Sequence, residues 1–218
     1  MNDNLYCALR DAFPKDIDRT SIETADGERL SYTSKDLDRS SAMIANLLQS
    51  LDLPAGSRVL VQTDKSVEAL ILYLAVLRAG LVYVPLNNAY QASELTYFID
   101  NAEPAVVVCA SRDFGWLSKI AFLAGTRHVF TLDDNRSGSL LQRAAHQGDQ
   151  QQPVPRAATD VATIIYTSGT TGRSKGAMLS HGNLLSNARV LKSLWGWRTE
   201  AEGGDVLVHA LPLFHVHG

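Results

Sequence analysis

Between residues 166 and 176 the chain reads Tyr166-Thr167-Ser168-Gly169-Thr170-Thr171-Gly172-Arg173-Ser174-Lys175-Gly176. Gly169, Gly172 and Gly176 let backbone N–H groups turn inward and approach an anion at distances that a Cβ would obstruct. The hydroxyls of Thr167, Ser168, Thr170, Thr171 and Ser174 add donors that follow an anion through several geometries, and Lys175 contributes a compact positive charge. This is the chemistry of a loop that holds phosphate. Surface loops are also rich in Gly, Ser and Thr for ordinary turn reasons. They rarely end in Lys-Gly, however, or follow so apolar a run as residues 161–165. The spacing excludes the nucleotide loop of P-loop NTPases, which needs Gly, four residues, then Gly-Lys-Ser/Thr; here Ser174 precedes Lys175 and Gly176 follows it.

A second cluster is Leu211-Pro212-Leu213-Phe214-His215-Val216-His217-Gly218. Two histidines at this spacing share a face of an extended strand, which suggests a metal, but zinc sites use three or four protein ligands and no third lies nearby. An imidazole hydrogen-bonded beneath a loop is an equal reading for His217.

The elements that must position these residues follow from the pattern. Residues 29–32 read as a short strand, and Thr33 with Asp36 forms a capping pair for a helix whose apolar stripe is Leu37, Ile44, Leu47, Leu48 and Leu51. Residues 58–62 form a strand and 66–78 a helix with Val67, Leu70, Ile71, Leu74 and Leu77 inward and Gly80 as its stop. The alternation continues with strands at 81–84, 105–109 and 128–132 and helices at 93–101 and 116–124. Alternation of this kind predicts an α/β fold, a mostly parallel sheet covered by helices on both faces, with right-handed crossovers.

From 133 to 158 the pattern dissolves into a polar connection with one short helix at 140–145. A strand at 162–166 then delivers the loop, 177–179 returns as a short strand, and Ser180 caps a helix to Trp195 that buries Leu184, Leu185, Ala188, Leu191 and Leu194. Residues 206–210 read as a last strand delivering His215. The predicted organisation is an N-terminal α/β subdomain over 1–132, the connection over 133–158, and the start of a second α/β subdomain over 159–218.

A chain of 218 residues that is 45% hydrophobic buries a sizeable core, and a net charge of −3 argues against a nucleic-acid partner. The longest apolar stretch, 69–84, is broken by Arg78 and Gly80, so no membrane span is expected. The N-terminus lacks the basic and apolar regions of a signal peptide. A cytoplasmic enzyme fits these features. Cys7 and Cys109 lie far apart without partners at metal-ligand spacing and are expected to be reduced and structural.

The loop resembles the signature loop of the adenylate-forming superfamily, which contains acyl-CoA synthetases, the adenylation domains of nonribosomal peptide synthetases and luciferases. Residues 211–218 resemble that superfamily's next motif, at the expected distance downstream. The resemblance implies the N-terminal part of an acyl-CoA synthetase large domain. It also implies an ATP- and Mg2+-dependent reaction in which a carboxylate becomes an acyl-adenylate and is then transferred to coenzyme A. In that role Thr167, Ser168, Gly169, Thr170, Thr171, Gly172, Arg173 and Ser174 hold the β- and γ-phosphates, Lys175 neutralises them, Thr167 contributes to the magnesium site, and His215 lines the carboxylate pocket beside the α-phosphate.

Residues 68–75, 85–90, 170–175 and 209–213 are similar to bacterial malonyl-CoA synthetases, which implies malonate; another short, fatty or aryl acid is the alternative. Relatives continue beyond the position of Gly218 into the adenine segment, an acidic magnesium ligand, the ribose-binding Asp, a hinge and a C-terminal domain with a catalytic Lys. The resemblance therefore implies an incomplete front half, inactive alone, whose partner is the C-terminal part of the same enzyme. A non-catalytic nucleotide- or pyrophosphate-binding chain is the alternative from a different class.

Overall fold

The computed structural model describes residues 2–25, 27–167, 174–198 and 204–215. A short helix, α1 (Leu5–Asp11), and an antiparallel ribbon, β1 (Thr20–Glu23) with β2 (Ser31–Thr33), precede the long helix α2 (Ser34–Gln49). The alternation follows: β3 (Arg58–Gln62), α3 (Val67–Arg78), β4 (Val82–Pro85), α4 (Ala92–Ala102), β5 (Val106–Cys109), α5 (Phe114–Leu123), β6 (His128–Thr131) and α6 (Ser139–Ala144). After the polar connection come β7 (Val161–Thr167), β8 (Lys175–Ser180) and α7 (His181–Leu194). The ribbon's first strand and α1 carry no strong periodicity and are not anticipated by the sequence pattern.

Local chemistry sets the boundaries. Thr33 and Asp36 make the anticipated reciprocal cap, the Asp36 backbone N–H donating to Thr33 Oγ1 and the Thr33 N–H donating to Asp36 Oδ2. Ser66 caps α3 by accepting from the Ala69 N–H. At its other end Gly80 takes a φ of +69°, and the N–H groups of Gly80 and Leu81 donate back to Leu77 and Val76, the Schellman closure that a glycine makes without steric cost.

The main sheet has the order β6-β5-β3-β4-β7-β8, parallel throughout except for the antiparallel β7–β8 pair, so it is mixed rather than purely parallel. Alternate residues of its central strands feed two cores. On one face Val59, Val61, Val106, Val108 and Phe130 pack with α1, α2, α3 and α6. On the other, Leu60, Val82, Val84, Val107 and Cys109 pack with α4 and α5. Strands buried on both faces read as continuous apolar runs, which is why 58–62 and 105–109 are so legible. Cys109 is fully buried, and burial pushes its thiol up to about 12, leaving it a core residue rather than a nucleophile.

Two expectations fail. Residues 206–210 form no strand: Val206 and Val208 are 94% and 83% exposed, and no ladder forms, because a β-pattern becomes a strand only where a neighbour offers an edge. The apolar stripe of α7 is likewise uncovered beyond its first two turns. Leu184 and Leu185 pack on the core, but Ala188 and Leu194 are exposed because no described element lies over them.

The polar connection is fastened along the helical layer. Asn46 Nδ2 donates to the carbonyls of Gly148 and Gln150, the Val154 N–H donates to the Arg78 carbonyl, and Asn4 Nδ2 donates to those of Leu77 and Val154. Its hub is the Arg78 guanidinium, 3% exposed. Nη1 donates to Tyr6 Oη at 2.7 Å, Asp38 Oδ1 at 2.9 Å and the Asp38 carbonyl at 2.8 Å, Nε donates to Gln151, and the group lies over the Tyr6 ring at 4.8 Å. Burying Tyr6, with Asp38 accepting from its hydroxyl, pushes its pKa up to about 12, so it remains a neutral donor.

Removing one member of a buried ionic network leaves its partners uncompensated. Arg78→Ala is expected to cost about 3 kcal/mol in urea unfolding, discounted from the upper end of the range because Asp38 is partly solvated; a loss within about 0.5 kcal/mol would show that the hub does not hold the connection.

His181, fully buried at the start of α7, accepts the Leu5 N–H on Nδ1 at 3.0 Å, so its neutral ring carries the proton on Nε2. Burial, followed by Arg156, lowers its pKa from the ordinary 6.5, with Asp160 opposing. The unfolded chain therefore takes up this proton more readily, and the stabilisation present above about pH 6.5 is lost as pH falls below it. The urea midpoint is expected to drop on acidification from about pH 7 to about pH 5, with a smaller drop in His181→Gln.

Candidate active site

β7 is buried where it enters the sheet and exposed where it leaves: Ala162 and Thr163 are covered, and Thr167 is open. Thr163 pairs with Tyr83 in the parallel ladder, and its hydroxyl donates to the Tyr83 carbonyl at 2.7 Å in a buried setting. This one-sided junction brings the carboxyl end of β7 alongside those of β3 and β4. Open α/β sheets place their ligands outside the carboxyl ends of their strands.

β8 then runs back along β7 in a register that pairs Thr167 with Lys175 and Tyr166 with Gly176. The phosphate-loop candidate is therefore the tip of a β-hairpin. Ser168, Gly169, Thr170, Thr171, Gly172 and Arg173 lie outside the described residues, while the stems are defined. Thr167 Oγ1 is 3.5 Å from the Lys175 carbonyl, a weak contact that leaves its lone pairs open to other groups. Lys175 is exposed at the start of β8 and makes no ion pair among the described residues. The structure thus brings Thr167, Ser174 and Lys175 together.

The stems are held from α4, a feature that the sequence pattern does not reveal. Tyr97 Oη donates to the Ser174 carbonyl at 2.7 Å, and Tyr166 Oη donates to Asn101 Oδ1 at 2.6 Å. Phe98 packs against Tyr166 with ring centroids 4.5 Å apart, and burial raises the Tyr166 pKa, so its hydroxyl stays a donor. Some seventy residues separate these partners, and no local motif marks them. The only available signal is the position of Tyr97 and Asn101 four apart on one helix.

Gly176 is required by packing rather than by φ. A Cβ there would come within 2.8 Å of Ile164 Cγ2 and 3.4 Å of the Tyr166 ring.

His215 closes a turn on Pro212, its N–H donating to the Pro212 carbonyl at 3.3 Å, and its ring is exposed beside Phe214. No hydrogen bond joins it to Thr167 or Lys175 among the described residues. Its segment is tied instead to the end of β3: Lys65 Nζ donates to the His209 carbonyl at 2.6 Å. Between this segment and the ends of β3 and β4 lies a cleft of about 290 Å3, lined by Thr63, Asp64, Lys65, Leu86, Pro212 and Phe214 among others. Asp64 forms a two-pronged ion pair with Arg112 at 2.6 and 3.0 Å and accepts from Asn88; Arg112 foremost holds its carboxyl below the usual range. A larger hollow on α7, about 420 Å3 and lined by Leu191, Trp195 and Trp197 among others, is shallow and nearly devoid of polar groups, so it offers no comparable chemistry. His217 lies outside the described residues.

Three comparisons bear on this geometry. The family described as "AMP-binding enzyme" matches residues 9–218. Among curated proteins, the mitochondrial malonate–CoA ligase ACSF3 of Xenopus laevis is 32% identical, aligned to 92% of this chain and 34% of its own. A long-chain-fatty-acid–CoA ligase of Escherichia coli O157:H7 is 28% identical over 99% of this chain and 44% of its own. Among solved structures, apo MatB from Rhodopseudomonas palustris superposes with a TM-score of 0.91 at 46% identity, covering 100% of this chain and 42% of that one; ATP-bound MatB gives 0.91 at 47%. The chain thus spans well under half the length of these relatives.

Because overpacking a fitted contact costs about 1–3 kcal/mol, Gly176→Ala is expected to destabilise the β7–β8 hairpin by that amount in urea unfolding. The cost should shrink in an Ile164→Ala background, where the obstructing methyl is gone; equal costs in both backgrounds would place the strain elsewhere.

Proposed function

The chain belongs to the AMP-binding enzyme family, and from that premise we propose that it provides the phosphate-holding part of an ATP-dependent acid–CoA ligase whose acid is malonate. The observation that carries the choice of acid is the relative named malonate–CoA ligase, 32% identical over 92% of this chain. Another short, fatty or aryl acid is the competing reading.

The chemistry follows from charge. A carboxylate oxygen attacks the α-phosphorus of ATP, the bond to the β-phosphate bridging oxygen breaks, and pyrophosphate leaves with its electron pair. The coenzyme A thiolate then displaces AMP from the acyl carbon. The first step brings one anion against another, so screening and holding the leaving group lower the barrier more than a proton transfer would. In this reading the loop from Thr167 to Ser174 holds the β- and γ-phosphates through backbone N–H groups and hydroxyls, and Lys175, free of ion pairs among the described residues, supplies the compensating charge. In the same reading His215, next in sequence to Phe214 of the cleft lining, faces the incoming acid.

Thr167 suits a magnesium site: its hydroxyl is exposed and only weakly engaged, and Mg2+ takes one or two protein oxygens while keeping most of its water. When bound, the ion neutralises phosphate oxygens as pyrophosphate departs. Electrostatic catalysis needs groups around the whole phosphate chain, so turnover is proposed for the whole enzyme rather than for these 218 residues alone.

The test is pyrophosphate release from ATP, Mg2+ and a panel of acids, on this chain alone and on a full-length ligase that contains it. Malonate is expected to lead in the full-length ligase, with this chain silent; release led by another acid would overturn malonate, and none with any acid would overturn the ligase reading. Lys175→Ala should lower kcat/KM for ATP by about 100-fold, the cost of losing one charge-stabilising donor, with the melting temperature unchanged because Lys175 is exposed.

A further inference from the structure

Helix α4 is built as a fixed platform. Its buried side, Leu95, Phe98 and Ile99, is locked into one of the two cores. Its first turn is capped by Glu94, which accepts the Gln91 N–H at 2.9 Å. Its last carbonyls are taken by Arg58 at the start of β3: Nε donates to the Ala102 carbonyl at 2.6 Å and Nη2 to the Glu103 carbonyl at 3.2 Å. The turn before it is held by Gln62, whose Nε2 donates to the carbonyls of Asn87 and Tyr90. From this platform Tyr97 and Asn101 reach outward from one face to the two strands of the β7–β8 hairpin. Tyr97 takes the Ser174 carbonyl, immediately before Lys175; Asn101 takes the Tyr166 hydroxyl, immediately before Thr167.

We propose that α4 is the positioning element of the phosphate loop and that Tyr97 is a positioning residue for ATP, acting through Ser174 and Lys175. This rests on the ligase reading above. The physical need is placement: a single ammonium compensates phosphate charge only from a defined distance and direction. The Tyr97 bond sets where the Lys175 backbone leaves the ladder, so the ammonium approaches from a defined origin. A hydroxyl-to-carbonyl bond suits this role better than an ion pair would, since it adds no charge to compete with phosphate for Lys175.

The experiment uses Tyr97→Phe, which keeps the ring against Phe98 and removes the hydroxyl that donates to Ser174. In a full-length ligase that contains this chain, KM for ATP in ATP–pyrophosphate exchange is expected to rise about fivefold, the size of one net hydrogen bond. Transfer of the acyl group from supplied acyl-adenylate to coenzyme A should keep its wild-type rate, because that step no longer uses the β- and γ-phosphates. An unchanged KM would overturn the proposal, and an equal loss in both half-reactions would reduce Tyr97 to a structural contact. Deuterium uptake by residues 174–180 reads the same clamp without turnover: faster uptake in Tyr97→Phe is expected, and unchanged uptake overturns it. A wild-type protein with no exchange activity would overturn the ligase reading instead, and the uptake result would then decide the clamp by itself.

Discussion

The seam between β4 and β7 is the constraint on which the rest depends. β3 to β6 build a self-consistent parallel sheet with helices on both faces, and β7 could extend it at the β4 edge or at the β6 edge. It is placed beside β4, where Thr163 pairs with Tyr83 and closes the seam with a buried hydroxyl-to-carbonyl bond. A parallel pair makes a slanted, slightly weaker ladder than an antiparallel one. A side-chain bond that satisfies a buried carbonyl matters correspondingly more here, since an unpaired one would cost the full desolvation penalty. Because the pairing is parallel, β7 ends where β3 and β4 end, and that shared carboxyl edge is where open α/β sheets place their ligands.

The chain must travel from β6, at one edge, across three strands to reach that seam, and the route explains the buried cation. A long polar connection has backbone groups that need partners, and a helical surface offers few, since its own amides and carbonyls are internally bonded. Arg78 resolves this by presenting several donors in a fixed fork from the last turn of α3, Nε and Nη2 to the connection at Gln151 and Nη1 to α1 and α2. The residue that ends the helix before β4 thus also guides the segment that returns beside β4. The connection reads as solvated in the sequence because its composition is polar; its fixation comes from Arg78, Asn46 and Asn4, which are distant in sequence.

What was legible reflects which forces are local. The caps at Thr33 and Ser180, the glycine stop at Gly80 and the doubly buried strands are set by contacts within a few residues or by simple burial, and each falls within a residue or two of its expected place. The α/β class follows from them. Residues 206–210 and the later turns of α7 have the composition of buried elements, but burial is a property of neighbours, and no described element covers them. The loop itself was legible in residue type, whereas its support was not: Tyr97 and Asn101 become relevant only through the fold, since an aromatic hydroxyl on a helix carries no mark of the carbonyl that it will meet.

The direction of the chain after the loop decides how charge can be handled there. In many phosphate sites the loop opens a helix, whose N-terminal amides and dipole face the anion without any side chain. Here the chain returns as β8, antiparallel to β7, and strand dipoles largely cancel. In the proposed function, compensation for a triphosphate would then come from discrete groups, the loop's own N–H groups, its hydroxyls and the ammonium of Lys175, and discrete groups act only when they are correctly placed. Ladder register supplies part of that placement by fixing Lys175 opposite Thr167, and Gly176 lets β8 lie close against Ile164 and Tyr166 where a Cβ would push it away. The remainder has to come from outside the hairpin, because an edge strand with one neighbour is free to twist. A capped helix anchored in the core beneath it, touching both stems, is the simplest rigid body available to resist that twist.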